Sequence, residues 1–206
     1  MKRDYNQEME AQIAALKEPG QRLLLHSCCG PCSTAVLERL AAHFSPTIYF
    51  YNPNIDSEAE YQRRLESQRL AIEGISTPYP AALIEAPYNP APFASMAADF
   101  ASEPEGGLRC TRCFTLRLEE TAKFAKAEGF PYFATTLSVS PHKDAERLNQ
   151  IGEALGEKYG ITYLYGDFKK KDGYRRSVIL SEKLGLYRQG YCGCGFSGPN
   201  RPSAAR

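Results

Sequence analysis

The residues that could do chemistry in this chain are its seven cysteines, and they fall into three tight groups. Cys28 and Cys29 stand beside Cys32, Cys110 and Cys113 form a Cys-x-x-Cys pair, and Cys192 and Cys194 flank Gly193. Soft thiolates select zinc, copper(I) or iron–sulfur clusters, and closely spaced thiols also serve as redox pairs. Seven is an odd number, so the cysteines cannot all pair as disulfides within one chain. Cys110-x-x-Cys113 has the spacing of a zinc knuckle. Cys28-Cys29 makes a poor second knuckle, because neighbouring residues on an extended chain point to opposite sides. In a turn both sulfurs converge more readily on a large object, and the separated corners of a [4Fe–4S] cube suit that spacing. Cys32 and Cys113 each open a predicted helix, where the helix dipole favours a thiolate or an anionic cluster. Four ligands leave a surplus, so Cys192-Gly193-Cys194 reads as a redox-active dithiol or as the holder of a second metal ion. Taken singly, each group also has an inert reading, as buried thiols or structural zinc; all three being inert together is far less economical.

Other polar candidates are weaker. His26 sits beside the first cysteines and reads equally well as a hydrogen-bonded core residue. His142 lies in a turn that could meet a substrate, and His43 is a solvated helix end. Tyr51, Asn52 and Asn54 shape a turn. Residues 169–188 carry Lys169, Lys170, Lys171, Arg175, Arg176, Lys183 and Arg188 against only Asp172 and Glu182, interleaved with Tyr174 and Tyr187. Basic side chains with aromatics among them suit a nucleic-acid ligand; a solvated helix face accounts for the charge equally well.

The elements that must position these groups alternate. Apolar Leu23–Leu25 reads as a strand buried on both faces. The cysteine turn follows, and Ser33 is placed to cap a helix bearing Val36, Leu37, Leu40, Ala41 and Phe44, which Pro46 ends. Further strands are expected at 47–51, 82–84, 131–137 and 161–165. Helices are expected at 5–18, at 57–73 with a Ser57/Glu60 capping box, near 93–100, from Cys110 to 128, at 144–159 and at 174–184. This is an α/β pattern, a mainly parallel sheet with helices on both faces, and ligands bind such sheets outside the carboxyl ends of the strands. At 206 residues the chain reads as one domain (1–206), long enough to bury about 70% of its unfolded surface, with an N-terminal extension over 1–20 and a disordered tail over 197–206. A net charge of +1 names no partner. The polar start is not a signal peptide, and no window approaches the ~20 apolar residues of a membrane span. The cytoplasm is therefore expected, and a reducing compartment favours metal or redox thiols over structural disulfides.

Four motifs in order now resemble one family: Cys28-Cys-Gly-Pro-Cys-Ser33, Tyr51-Asn-Pro-Asn-Ile55, Arg109-Cys-x-x-Cys-Phe114 and Tyr187-Arg-Gln-x-Tyr-Cys-Gly-Cys-x-Phe-Ser197. They are similar to those of the cobalamin-independent epoxyqueuosine reductases, over about residues 22–197. The resemblance implies a sheet like that of the adenine-nucleotide α-hydrolases and reduction of epoxyqueuosine at the tRNA wobble position to queuosine. It implies a [4Fe–4S] cluster ligated by Cys28, Cys29, Cys110 and Cys113. Cys192 and Cys194 would be a redox pair or would hold a second metal ion, an iron, and Cys32 would be a further metal ligand. The implied partners are the anticodon stem-loop, gripped by the 169–188 segment, and an external electron donor. Two rivals stand beside it. One is a non-catalytic, zinc-stabilised nucleic-acid-binding module. The other is a tRNA thiolation-type enzyme, disfavoured because Ser27–Ser33 lacks the Gly-Gly-x-Asp of a pyrophosphate loop.

Overall fold

Among the described residues five short strands make one sheet: β1 (Gln21–His26), β2 (Phe44–Phe50), β3 (Ala82–Glu85), β4 (Tyr132–Thr135) and β5 (Thr162–Tyr163). The computed structural model describes residues 3–197, so the expected disordered tail lies, beyond Ser197, outside the described residues. The strand order is β3-β2-β1-β4-β5, and every neighbouring pair is parallel. Leu23 lies opposite Pro46 on one side and Tyr132 on the other, and His26 lies between Tyr49 and Thr135. The order reverses between β1 and β4, the place where doubly wound sheets open a crevice at their carboxyl ends. This arrangement is compatible with the expected adenine-nucleotide α-hydrolase type of sheet.

Among the described residues seven helices cover it: α1 (Tyr5–Ala14), α2 (Gly30–Leu40), α3 (Glu58–Gly74), α4 (Ala91–Ala98), α5 (Leu108–Ala127), α6 (Ala145–Tyr159) and α7 (Gly173–Lys183). Alternate strand residues face opposite ways. Leu24 and Phe133 pack with Leu118 and Ala122 of α5 and Leu148 of α6. Leu23, Leu25 and Ala134 pack on the other face with Val36, Leu37 and Leu40 of α2 and with Met9 of α1. Leu23, Leu24 and Leu25 are fully buried, each stabilising by roughly 2 kcal/mol. The N-terminal segment, expected as an extension, thus lends Met9 to the core. Among the described residues no helix is long and apolar enough to cross a membrane.

Several boundaries differ from the expected ones for identifiable reasons. The first helix ends at Ala14 rather than 18. α2 begins at Gly30, before Ser33, with Cys29 as its N-cap in extended conformation. Pro31 fits this first turn because a proline there sacrifices no helical hydrogen bond. Gly30 is required by close approach: a Cβ there would lie 2.0 Å from the Ser67 carbonyl oxygen of α3. Pro46 does not end the helix but sits inside β2, whose pairing with β3 begins only at Thr47, so the missing N–H is tolerated there. The capping box is half formed. Ser57 Oγ accepts from the Glu60 N–H at 3.3 Å, while the Glu60 carboxylate turns inward to Arg64 and Tyr187. Beyond Thr135 the chain tightens into a 3-10 turn over Thr136–Val139 instead of continuing as strand, with Thr135 Oγ1 accepting from the Leu137 N–H at 3.2 Å.

Candidate functional site

A cleft of about 1040 Å³ is lined by the turn after β1, the turn after β4, the 101–106 loop and the 188–192 segment. Cys28, Cys29, Cys32, Cys110 and Cys192 line it. Cys113 and Cys194 lie behind this wall, buried with Phe93 and Ala97, and Cys192 packs against the same cluster. All three sequence groups therefore reach one region, brought there by the carboxyl end of β1, the first turns of α5 and the segment after α7.

Cys28, Cys29 and Cys32 are the most tightly gathered. Their sulfurs lie within 4.8 Å of one another, and the Cys28 and Cys29 sulfurs are 3.7 Å apart. The chain leaves β1 and enters α2 within these residues, so adjacent sulfurs converge where an extended chain would have splayed them. Around a tetrahedral zinc the sulfur–sulfur edge is about 3.8 Å, so soft-metal binding suits this donor set. No other group of three His, Cys, Asp or Glu side chains among the described residues meets that spacing. Cys110 and Cys113 stand outside it. The turn is pinned from below: the Ser27 and Ser33 hydroxyls donate to Gln68 Oε1 at 2.6 and 2.7 Å, and Ser33 Oγ also lies 3.2 Å from the Cys29 carbonyl oxygen. Ser33 thus locks the turn from inside the helix rather than capping it.

The thiols share charge. The Cys29 and Cys32 thiols, followed in effect by Lys143 and Arg117, hold Cys28 well below the usual thiol range. The same contacts with Cys28, together with burial, push Cys29 up to about 12 and raise Cys32. Burial raises Cys113 to about 11. The Cys194 thiol lowers Cys192, with Lys143 and Arg117 adding to the effect, and the same contact raises Cys194. Burial works against the Lys143 ammonium, yet Cys192 and Cys28 hold its pKa above the ordinary value.

Cys110, Cys113 and Arg117 occupy successive turns of one face of α5. Arg117 is 1% exposed; its Nε donates to His26 Nε2 at 3.3 Å and its Nη2 to Asn52 Oδ1 at 2.5 Å. Burial and the Arg117 charge push His26 down to about 3, so its neutral ring can accept from Arg117. Asn52 Nδ2 donates to the Ser27 carbonyl at 2.9 Å, tying the turn after β2 to the cysteine turn. His26 and Asn52 are therefore framework. A second frame holds the 100–106 loop: Arg109 Nη1 donates to the carbonyls of Phe100, Ala101 and Glu103, and the Gly106 N–H donates to Cys110 Sγ at 3.2 Å.

A family model described as epoxyqueuosine reductase QueH matches residues 23–200. The chain belongs to the QueH family. The epoxyqueuosine reductase QueH of Staphylococcus epidermidis is 42% identical over 200 residues, covering 94% of this chain and 84% of the relative. That of Staphylococcus aureus is 43% identical over 180 residues, covering 85% and 75%. The Thermotoga maritima relative is 35% identical over 179 residues, covering 85% and 89%.

In this QueH-family chain the basic segment is largely engaged with its own carboxylates. Lys169 pairs with Asp167 at 2.9 Å, Lys170 with Asp4 at 3.0 Å, Lys171 with Glu10, and Arg176 with Glu38 at 2.6 Å. Arg175 is exposed. Arg188 and Tyr174 line the cleft, and Tyr174 is 40% exposed. His142 also reaches the cleft and is exposed, whereas His43 is a surface residue. Sequence reasoning missed Arg64, Arg117 and Lys143, the cations around the thiols. Arg117 carried a signal, seven residues after Cys110 on one helical face; Lys143 and Arg64 carried none beyond ordinary surface charge.

Proposed function

We propose that this QueH-family chain reduces the epoxide of epoxyqueuosine, at the wobble position of tRNA, to the alkene of queuosine. The supporting observation is the convergence of five thiols from three distant segments on one cleft at the sheet's switch point, enclosed by Arg64, Arg117 and Lys143. Cys28, Cys29, Cys110 and Cys113 are proposed to hold a [4Fe–4S] cluster, with Cys32 available as a further metal ligand. When bound, such a cluster supplies single electrons at low potential. The buried Arg64 and Arg117 and the half-buried Lys143 would compensate its negative charge.

Removing the oxygen consumes two electrons and two protons and releases water. Cys192 and Cys194 can supply both electrons by joining as a disulfide; the Cys194 thiol gives one proton to the departing oxygen and solvent water gives the second. An external donor then restores the dithiol. Their contact lowers Cys192 and raises Cys194, which favours Cys192 as the first of the pair to lose its proton. The wobble nucleotide lies in a single-stranded loop, so unstacking it into the cleft is inexpensive. Tyr174 offers an exposed ring on which a base could stack, and Arg188 and Arg175 offer charge to phosphates. Lys169, Lys170, Lys171 and Arg176 would exchange their carboxylates for phosphates on the outer rim. The cytoplasm, where tRNA resides, is the proposed location.

The test is anaerobic purification with iron, sulfide and zinc quantified. Iron with acid-labile sulfide is expected, and stoichiometric zinc alone would favour a binding module without catalysis. Cys110→Ser should remove both the iron–sulfur absorbance and epoxyqueuosine reduction. An active, colourless variant would overturn the assignment.

A further inference from the structure

One side chain, Arg64, reaches the Cys192 peptide from the helix that also holds the Cys28-Cys29 turn. It sits in the middle of α3, is 1% exposed, and lines the cleft. Its Nε donates to Glu60 Oε1 at 2.7 Å and its Nη1 donates to the Cys192 carbonyl at 3.0 Å. Glu60 is fixed from its other side by the Tyr187 hydroxyl, 3.1 Å from Oε2. The guanidinium carbon lies 5.3 Å from the centre of the Tyr191 ring, within cation–π range. Nη2 is buried with no oxygen acceptor. Burial opposes the Arg64 charge, and Glu60, then the Cys29 and Cys28 sulfurs, sustain it.

Gly193 completes the arrangement. Its φ is +101°, and a Cβ there would lie 2.8 Å from both terminal guanidinium nitrogens. Its carbonyl is held by the Asp56 N–H at 2.9 Å. The residue between the two cysteines therefore rests directly on the guanidinium, in a conformation and a space that only glycine supplies. A buried guanidinium is costly unless its donors are engaged. This one engages two, toward its own helix and toward the Cys192 peptide, while Gln68, one turn further along the same helix, accepts from the Ser27 and Ser33 hydroxyls that flank the Cys28-Cys29 turn.

We propose that Arg64 is a positioning residue, fixing the Cys192-Gly193-Cys194 loop against the Cys28-Cys29 turn so that one guanidinium sets the spacing of the two thiol groups. The inference rests on the reading that these groups act in one site, but its test does not depend on activity. Lysine cannot replace the planar fork, because a single ammonium cannot hold Glu60 and the Cys192 carbonyl in that geometry.

The experiment uses the reduced, metal-free full chain. Deuterium uptake is followed in peptides covering 186–196, and the alkylation rate of Cys192 is followed by mass spectrometry, for R64Q, R64K and G193A. For R64Q both uptake and alkylation rise, the latter about tenfold. That factor corresponds to about 1.4 kcal/mol, the low end for a hydrogen bond to a charged group. R64K recovers thermal stability relative to R64Q yet leaves the 186–196 peptides loosened, which a purely structural role for the buried charge would not produce. A folded R64Q with uptake and alkylation within twofold of the unsubstituted chain overturns the proposal. Should R64Q lack a cooperative melt, G193A decides, because it keeps both charges of the Arg64–Glu60 pair and disturbs only the seat of the 192–194 loop on the guanidinium; unchanged uptake and alkylation in G193A likewise overturn it. Failure of the reductase reading would appear instead in the iron and sulfide analysis, independently of these measurements.

Discussion

Replacing Asn52 by Ala should unfold the frame of the site without touching a thiol. Asn52 is 2% exposed. The change removes its donor to the Ser27 carbonyl and its acceptor for the Arg117 guanidinium. A neutral buried hydrogen bond contributes about 1 kcal/mol and one to a charged group about 2, so the loss is about 3 kcal/mol. At roughly 3 °C per kcal/mol for a domain of this size, Tm should fall by about 9 °C. Circular dichroism melts of metal-free protein measure this directly. Asn52→Asp keeps an acceptor for Arg117 and loses the donor to Ser27, so it should fall between the two. The competing idea is that Asn52, inside the Tyr51–Ile55 motif, contacts substrate. It predicts a raised KM with Tm unchanged; a drop below 1 kcal/mol accompanied by such a KM change would refute the framework role.

Three further outcomes follow. Cys194→Ala removes the contact that lowers Cys192, so the Cys192 thiolate fraction at pH 6.5 should fall and its alkylation slow; a pH–rate series on the two proteins checks this. Lys170 and Lys171 hold Asp4 and Glu10 below the usual carboxylate range. A lowered folded pKa gives stability that is present above the unfolded value and lost as pH falls through the carboxylate range. K170Q/K171Q should therefore shrink the difference between urea midpoints at pH 6 and pH 4. Tyr174→Ala should raise KM for tRNA by about tenfold, the scale of one base–aromatic stack, whereas Tyr174→Phe keeps the ring and should stay near the original; equal KM values for Ala and Phe variants would remove the stacking role.

The alternation of strand and helix was legible because it rests on periodicity: Leu23–Leu25 announced a central strand, and the α6 stripe of Leu148, Ile151 and Leu155 announced a covering helix. Boundaries slipped where tertiary contacts outweigh local signals. Ser33 looked like a cap because its type favours that place, yet Gly30 lets α2 start earlier by admitting the Ser67 carbonyl. Pro46 looked like a helix stop, but the absence of a β3 partner at that point makes it acceptable in a strand. The thiols themselves were legible from type and spacing. The cations were not, since a buried Arg64 or Arg117 is indistinguishable in sequence from an exposed one until the sheet places it. The basic segment shows the reverse: its charges were visible, but their pairing with Asp4, Glu10 and Glu38 joins residues more than a hundred positions apart.

The loop at 100–106 has a mechanical consequence. Arg109 gathers three of its carbonyls, Arg147 donates to the Gly106 carbonyl at 2.7 Å, Glu103 caps the Leu108 N–H at 2.8 Å, and Cys110 receives the Gly106 N–H. Such a loop cannot swing by itself; it moves only as a rigid extension of α5. The opposite wall, 188–191, is held chiefly at its two ends: Arg188 donates to Ser181 Oγ at 3.2 Å and to the Ser177 carbonyl at 3.4 Å, and just beyond Tyr191 the Cys192 and Gly193 carbonyls accept from Arg64 at 3.0 Å and the Asp56 N–H at 2.9 Å. Any ligand that entered the cleft would therefore meet one jamb braced along its whole length and, facing it, a short span, 188–191, braced at its ends.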